Sequence, residues 1–198
     1  MANILIACEF SGIVREAFRK QGHKAFSCDL LPSDDNSPYH CQGDIKEFFK
    51  LFPDWDLIIA HPPCTRLANS GVRWLQERNL WNEMREGAEF FKFFLTLSEE
   101  NCPRIAVENP IPHKYAVEII GRKYDQIIQP WQYGEPYSKA TCLWLRNLPK
   151  LQPTKIIPVE EREQKCHLLP PSKDRWKLRS VTYQGIADAM ASQWGKVL

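Results

Sequence analysis

The chain has 198 residues, a formal net charge of +2, and 43% hydrophobic and 25% charged residues, the profile of a single soluble globular domain able to bury its own core. No apolar run approaches the roughly 18 residues of a membrane span, and the opening "MANILIACEF" has no basic signal region, so a cytoplasmic location without membrane contact is expected. The seven cysteines, Cys8, Cys28, Cys41, Cys64, Cys102, Cys142 and Cys166, are odd in number and scattered, which argues against a disulfide framework, and without Cys-x-x-Cys spacing no metal is expected.

Residues 3–8 ("NILIAC") read as a buried strand, and "SGIVREAFRKQG" as a helix stopped by Gly22. "KAFSCDL" is a second strand, with Asp29 at its end, followed by a turn-rich polar loop and a short helix, "IKEFFKLF". Residues 56–60 ("DLIIA") are apolar on both faces, as buried parallel strands are. No period is visible over 61–83, and then "MREGAEFFKFFLTLSE" gives the strongest amphipathic helix. "RIAVEN" is a strand, "HKYAVEII" a helix, and "YDQIIQP" and "KATCLWLRN" form a strand pair joined by "WQYGEPYS". Residues 148–179 are proline-rich and polar, and "VTYQGIADAMASQWGKVL" closes the sequence as a helix. Alternation of strands and helices predicts an α/β fold with a mainly parallel sheet and an antiparallel hairpin at one edge.

Ligands of such sheets bind outside the carboxyl ends of the strands. Standing there are "EFSG", Asp29, "GDI", "HPPC" and "EN". Gly12 permits a sharp turn. Asp29 suits ribose hydroxyls, although a strand-end aspartate also serves as a helix cap. The loop lacks Gly-x-Gly-x-x-Gly, so a smaller adenosine ligand fits better than a dinucleotide. Cys64 follows two prolines that stiffen the backbone, and Glu108 ends a strand. On local grounds the pair is equally consistent with a strand cap and a salt bridge. A zinc deaminase is excluded, since Leu67 stands three residues after Cys64 and no His-x-Glu occurs. A Cys–His hydrolase built on His61 is disfavoured by the prolines between the two residues. Cations around Trp131, Tyr133, Trp144 and Trp176 in 131–146 and "SKDRWKLR" suit a phosphate backbone with unstacked bases.

Taken together, these stretches resemble the C5-cytosine DNA methyltransferase family, in the family's order. "EFSG" resembles its Phe-x-Gly loop, "GDI" its adenine motif, "PPCTRLANSG" its Pro-Pro-Cys-Gln loop, "VENP" its Glu-Asn motif and "YQGIADAMA" its last cofactor motif. The resemblance implies a Rossmann-like S-adenosylmethionine-dependent methyltransferase fold, with Phe10, Ser11, Gly12, Asp29, Asp44, Ile45 and Pro62 at the cofactor. It implies that Cys64 attacks carbon 6 of a cytosine in DNA, flipped or single-stranded, while Glu108 protonates nitrogen 3. Pro63, Arg66, Asn109 and Lys139 are implied at the substrate.

The sequence also departs from the family. Ile13 and Val14 replace glycines, Thr65 replaces a glutamine, Ile186 replaces an asparagine, and Lys139 is the nearest substitute for a missing Gln-Arg-x-Arg stretch. The large target-recognition domain is missing. Residues 148–179 stand in its place, short of a typical domain of about 50 residues or more. The expectation is therefore one compact, phage-like catalytic domain over 1–198. The same chemistry on a cytosine nucleotide or RNA, and a non-catalytic nucleic-acid binder, remain alternatives.

Overall fold

The computed structural model describes residues 1–163 and 175–198. Seven strands among them are β1 (Asn3–Ala7), β2 (Lys24–Asp29), β3 (His40–Gln42), β4 (Leu57–Ala60), β5 (Ile105–Pro110), β6 (Gln126–Ile128) and β7 (Thr141–Arg146). The helices are α1 (Ile13–Lys20), α2 (Ile45–Leu51), α3 (Arg73–Glu77), α4 (Trp81–Leu95), α5 (Lys114–Ile120), α6 (Arg175–Ser180) and α7 (Gln184–Trp194).

The strands make one sheet in the order β3-β2-β1-β4-β5-β7-β6. β3, β2, β1, β4 and β5 pair in parallel, while β7 runs antiparallel to both β5 and β6. The expected parallel sheet with an antiparallel edge hairpin is present. The chain moves outward from β1 to β3, then returns to place β4 on the other side of β1. That reversal opens a crevice at the carboxyl ends of β1 and β4.

Strand alternation sends side chains to two cores. Ile4, Ile6, Leu57 and Ile59 meet Val14 and Phe18 of α1 and Ile186, Met190 and Trp194 of α7. Leu5 and Ile58 belong to the opposite layer, with Phe91 and Phe94 of α4 and Trp144 of β7. All four residues of β4 are buried, as the doubly apolar "LIIA" requires. In α4 the buried residues Met84, Ala88, Phe91 and Phe94 fall on one helical face.

Several elements differ from the sequence reading. β3 lies inside the polar loop, α3 inside the stretch without a period, and α4 begins at Trp81, three residues before its expected start. Cys8 is not strand but a turn residue with φ 59°. α6 falls in a segment read as irregular. Tyr133 and Trp144, read as parts of a nucleic-acid surface, are 4% and 0% exposed: Tyr133 packs in the layer of α1 and α7, and Trp144 lies edge-on to Phe91 of α4. Of the segment 148–179, residues 148–163 are described, and 164–174 lie outside the described residues, as does part of "SKDRWKLR". The backbone at 154–157 bonds to Trp131 and Gln132, and the Arg162 guanidinium stacks 3.7 Å above the Trp131 ring.

Asp44 is the N-cap of α2, accepting hydrogen bonds from Lys46 N at 2.7 Å and Glu47 N at 3.4 Å. Asp44→Ala should cost about 1 kcal/mol in urea unfolding. Asp44→Asn, which keeps an acceptor oxygen, should unfold at the wild-type urea midpoint. Any loss of cofactor affinity in the asparagine variant then reports a ligand role separate from the cap.

Candidate active site

β1 ends in a turn that the sequence shapes closely. Gly12 precedes α1 with φ 73°, and a Cβ there would collide with the Arg15 guanidinium. Arg15 is fully buried, donating to Ser27 Oγ at 2.8 Å and pairing with Glu16 and Asp35. Glu9, 4% exposed, accepts from Val14 N at 2.7 Å and Arg15 N at 3.2 Å. The first turn of α1, a natural anion seat, is therefore filled by the protein's own carboxylate. That arrangement disfavours a pyrophosphate and suits a ligand without phosphate. Ser11 Oγ lies 3.5 Å from both Glu9 Oε1 and Ile13 N.

Burial pushes the Glu9 carboxyl above its ordinary value of 4.5, despite His61 and its two backbone bonds. A raised folded value favours the protonated form in the native state. This group's contribution is thus fully present at low pH and is lost as pH climbs through the raised value. The difference in unfolding free energy between wild type and Glu9→Gln should slope with pH above about 4.5, as urea melts across pH 4 to 8 would show. A flat difference would contradict the assignment.

The other residues expected at the cofactor line the same edge. Asp29 accepts from Leu31 N at 2.9 Å, and burial raises its carboxyl. Gly43 N bonds to Asp29 O at 2.8 Å, joining the ends of β2 and β3 beside Asp44 and the buried Ile45. Phe10 is buried, with the Lys177 ammonium 5.1 Å above its ring. Lys177 also bonds to Asp34 at 2.6 Å. Pro62 is buried while Pro63 is exposed.

The β4 and β5 ends form the second half. Glu108 and Lys139 line a narrow cleft with His61, Thr141, Thr182 and Tyr183, and its volume of about 10 Å³ is that of one water. His61 Nδ1 lies 3.7 Å from Glu108 Oε1, within ion-pair reach but longer than a hydrogen bond. Burial pushes the Glu108 carboxyl up, but His61 and Lys139 outweigh it and hold it below its ordinary range. Cys64 is half-buried. Burial first, then Glu108, pushes its thiol above the ordinary value, while Lys139 and Arg179 pull the other way. Lys139 Nζ donates to Arg179 O at 2.6 Å, fastening the end of α6 across the cleft mouth.

The loop bearing Cys64 is fixed by backbone bonds. Cys64 O accepts from Leu67 N and Ala68 N, both at 3.0 Å, and Asn69 N donates to Ile111 O at 2.8 Å. His113 Nε2 meets Arg66 O at 2.9 Å. The Arg66 side chain stands 3.7 Å from Glu83 on α4, away from the Glu108 cleft. Asn109 is fully buried, donates to Pro110 O at 2.5 Å, and has no partner for Oδ1 among the described residues. Strand alternation puts it on the face opposite Glu108. Glu108 and Lys139 thus share one cleft, with Cys64 within electrostatic reach of both, while Arg66 and Asn109 stand apart from them.

Sequence reasoning missed Glu9 as a helix plug and His61 as the neighbour of Glu108. The unusual polar residue in "LIIAHPP" was the available signal for His61. Nothing local marked Glu9, whose partners lie one turn into α1.

No protein-family model matches the chain, and no curated protein sequence does. Solved structures do resemble it. A protein described as a prophage-encoded DNA modification methyltransferase of E. coli superposes with a TM-score of 0.53 at 15% identity, covering 86% of this chain and 56% of that one. The Entamoeba histolytica methyltransferase EhMeth gives a TM-score of 0.51 at 17% identity, covering 79% of this chain and 58% of its own. The chain spans a little over half the length of each. With the strand order, the reversed β7 and these likenesses together, the chain has the Rossmann-like methyltransferase fold.

Proposed function

We propose that the chain transfers a methyl group from S-adenosylmethionine to carbon 5 of cytosine in DNA, through a covalent adduct on Cys64. The observation that carries this reading is the convergence of Cys64, Glu108 and Lys139 beside a crevice whose anion seat is already filled by Glu9. The description of the E. coli prophage protein as a DNA modification methyltransferase supports DNA as the carrier.

Asp29 would hold the ribose of the cofactor, with Phe10, Asp44, Ile45 and Pro62 around its adenine and Ser11 and Gly12 at the methionyl end. When bound, S-adenosylmethionine supplies an electrophilic methyl group. The chain's own residues make carbon 5 nucleophilic. Cys64 adds to carbon 6, and the proton that Glu108 gives to nitrogen 3 lets the ring accept the electrons. The raised thiol value means that Cys64 must lose its proton within the complex, and the charges of Lys139 and Arg179 favour that loss. Entry of a base requires the Lys139–Arg179 bond to open, because the cleft holds no more than a water.

The test is nucleoside mass spectrometry of DNA incubated with the protein and labelled S-adenosylmethionine. Labelled 5-methylcytosine is expected, and none from Cys64→Ser. Label on RNA or a free nucleotide but never on DNA would reassign the carrier. Absence of cofactor binding by calorimetry would instead favour a non-catalytic binder.

A further inference from the structure

His61 has a place in the site that the reaction scheme above does not use. Its side chain is 7% exposed, and neither ring nitrogen has a hydrogen-bond partner among the described residues. An imidazole buried without partners is destabilising. Its backbone holds it firmly: His61 N donates to Ala7 O at 2.9 Å, at the point where the sheet reverses direction. Three carboxyl groups act on it: Glu108 on β5, within ion-pair reach, and at longer electrostatic range Glu9 after β1 and Asp29 at the end of β2. Cys64 lies in its own loop, and Lys139 faces Glu108 from just before β7.

This concentration of acids around one imidazole bears on a difficulty in the chemistry. A glutamate held below its ordinary range by His61 and Lys139 carries no proton at neutral pH. Yet the proposed reaction needs a proton at that carboxyl. A neighbouring group that takes up and returns protons removes the conflict, and histidine is the side chain suited to it.

We propose that His61 is a positioning residue for Glu108: its Nδ1, within ion-pair reach of the Glu108 carboxylate, holds one proton for the pair, and that proton is the one lent to nitrogen 3 of the base. The inference rests on the reading of Glu108 as proton donor. As the Cys64 sulfur bonds to carbon 6, the C5–C6 π pair shifts to C4–C5 and the C4–N3 π pair takes the proton at nitrogen 3. Glu108 takes that proton from His61 Nδ1 and passes it to nitrogen 3, which leaves His61 neutral and Glu108 ionised, so the pair loses one proton in all. After methyl transfer the carbon 5 proton leaves to water. The C5–C6 double bond re-forms, the sulfur departs as thiolate, and the nitrogen 3 proton returns to the pair.

Asn at position 61 keeps a side-chain N–H near the place of Nδ1 but cannot accept a proton. The first measurement needs no turnover. The Glu108 carboxyl carbon is followed by NMR from pH 3 to 9, its signal assigned by its loss in Glu108→Gln. In His61→Asn its titration should move up by about one pH unit; an unmoved titration overturns the shared proton, whether or not the protein methylates anything. The second is single-turnover methyl transfer to DNA. His61→Asn should be slower by at least about tenfold at pH 8, with cofactor KM unchanged. The ratio of variant to wild-type rate should rise as pH is lowered, because Glu108 then gains its proton from solvent. A ratio independent of pH overturns the proposal. If wild type transfers no label, the reading of the reaction fails, and the NMR result still decides the pair.

Discussion

Cys64→Ser is expected to abolish the covalent complex with an oligonucleotide carrying 5-fluorocytosine, and to lower methyl transfer to normal DNA on the order of ten-thousandfold. Fluorine at carbon 5 leaves no proton to eliminate, so the sulfur–carbon 6 bond persists and appears as a band resistant to denaturation. Serine keeps the size and loop geometry of the residue but is a far weaker nucleophile, having no accessible anion at neutral pH. Because burial and Glu108 hold the Cys64 thiol above its ordinary value, adduct formation should also quicken with rising pH as thiolate becomes available. An adduct that survives in the serine variant would remove Cys64 from the reaction. A wild-type adduct rate indifferent to pH would show that the thiol is ionised by the bound complex instead.

The central architecture was readable from sequence because long-range placement there follows local pattern. "NILIA" and "LIIA" are apolar on both faces, and strands of that kind sit in the middle of a parallel sheet. The spacing of Met84, Ala88, Phe91 and Phe94 gave α4. Elements without such a pattern escaped. β3 is three residues long, "HCQ", too short to alternate, and it exists because β2 offers a free edge. α3 is one turn with a single buried residue, Leu75.

The same division holds for the site. Cys64 and Glu108 were marked by motif-like neighbours. Glu9 and His61 acquire their meaning from backbone and side chains on other strands, and no spacing along the sequence encodes that. Trp144 shows the converse error. Between Lys139 and Arg146 in sequence it reads as a base-stacking ring, but its strand turns it into the core, where its indole N–H donates to Arg122 O at 3.1 Å.

Gly185→Ala is expected to destabilise the fold by about 3 kcal/mol, a fall in Tm of about 6–12 °C for a domain of this size. Gly185 lies in the first turn of α7, where a Cβ would overlap Tyr133 O and come within 2.9 Å of Tyr133 C. The clash is with backbone, which cannot rotate away as a side-chain tip could. Tyr133 cannot retreat easily either. It is buried, its N–H bonds to Pro130 O at 2.9 Å, and it bridges to Lys155. The helix must therefore shift, disturbing Ile186 and Met190 under the cleft and Tyr183 at its wall. Calorimetric melting measures the loss. Activity per folded molecule should fall as well, unlike in a variant that merely unfolds more readily. A Tm within 2 °C of wild type, below the least shift of about 2–4 °C expected per kcal/mol, would mean that the 133–185 contact is looser than described.

The packing of α7 on α1 has a consequence for biosynthesis. Val14, Ala17 and Phe18 are sealed by Ile186, Met190 and Trp194, residues that leave the ribosome long after α1. At about 5–20 residues per second, the apolar side of α1 waits roughly ten to thirty seconds for its cover. During that interval the nascent sheet presents a bare hydrophobic flank. Synthesis that stops before α7 yields a polypeptide destined for chaperones or proteases, and yield in a cell should respond to codon choice along the second half of the message.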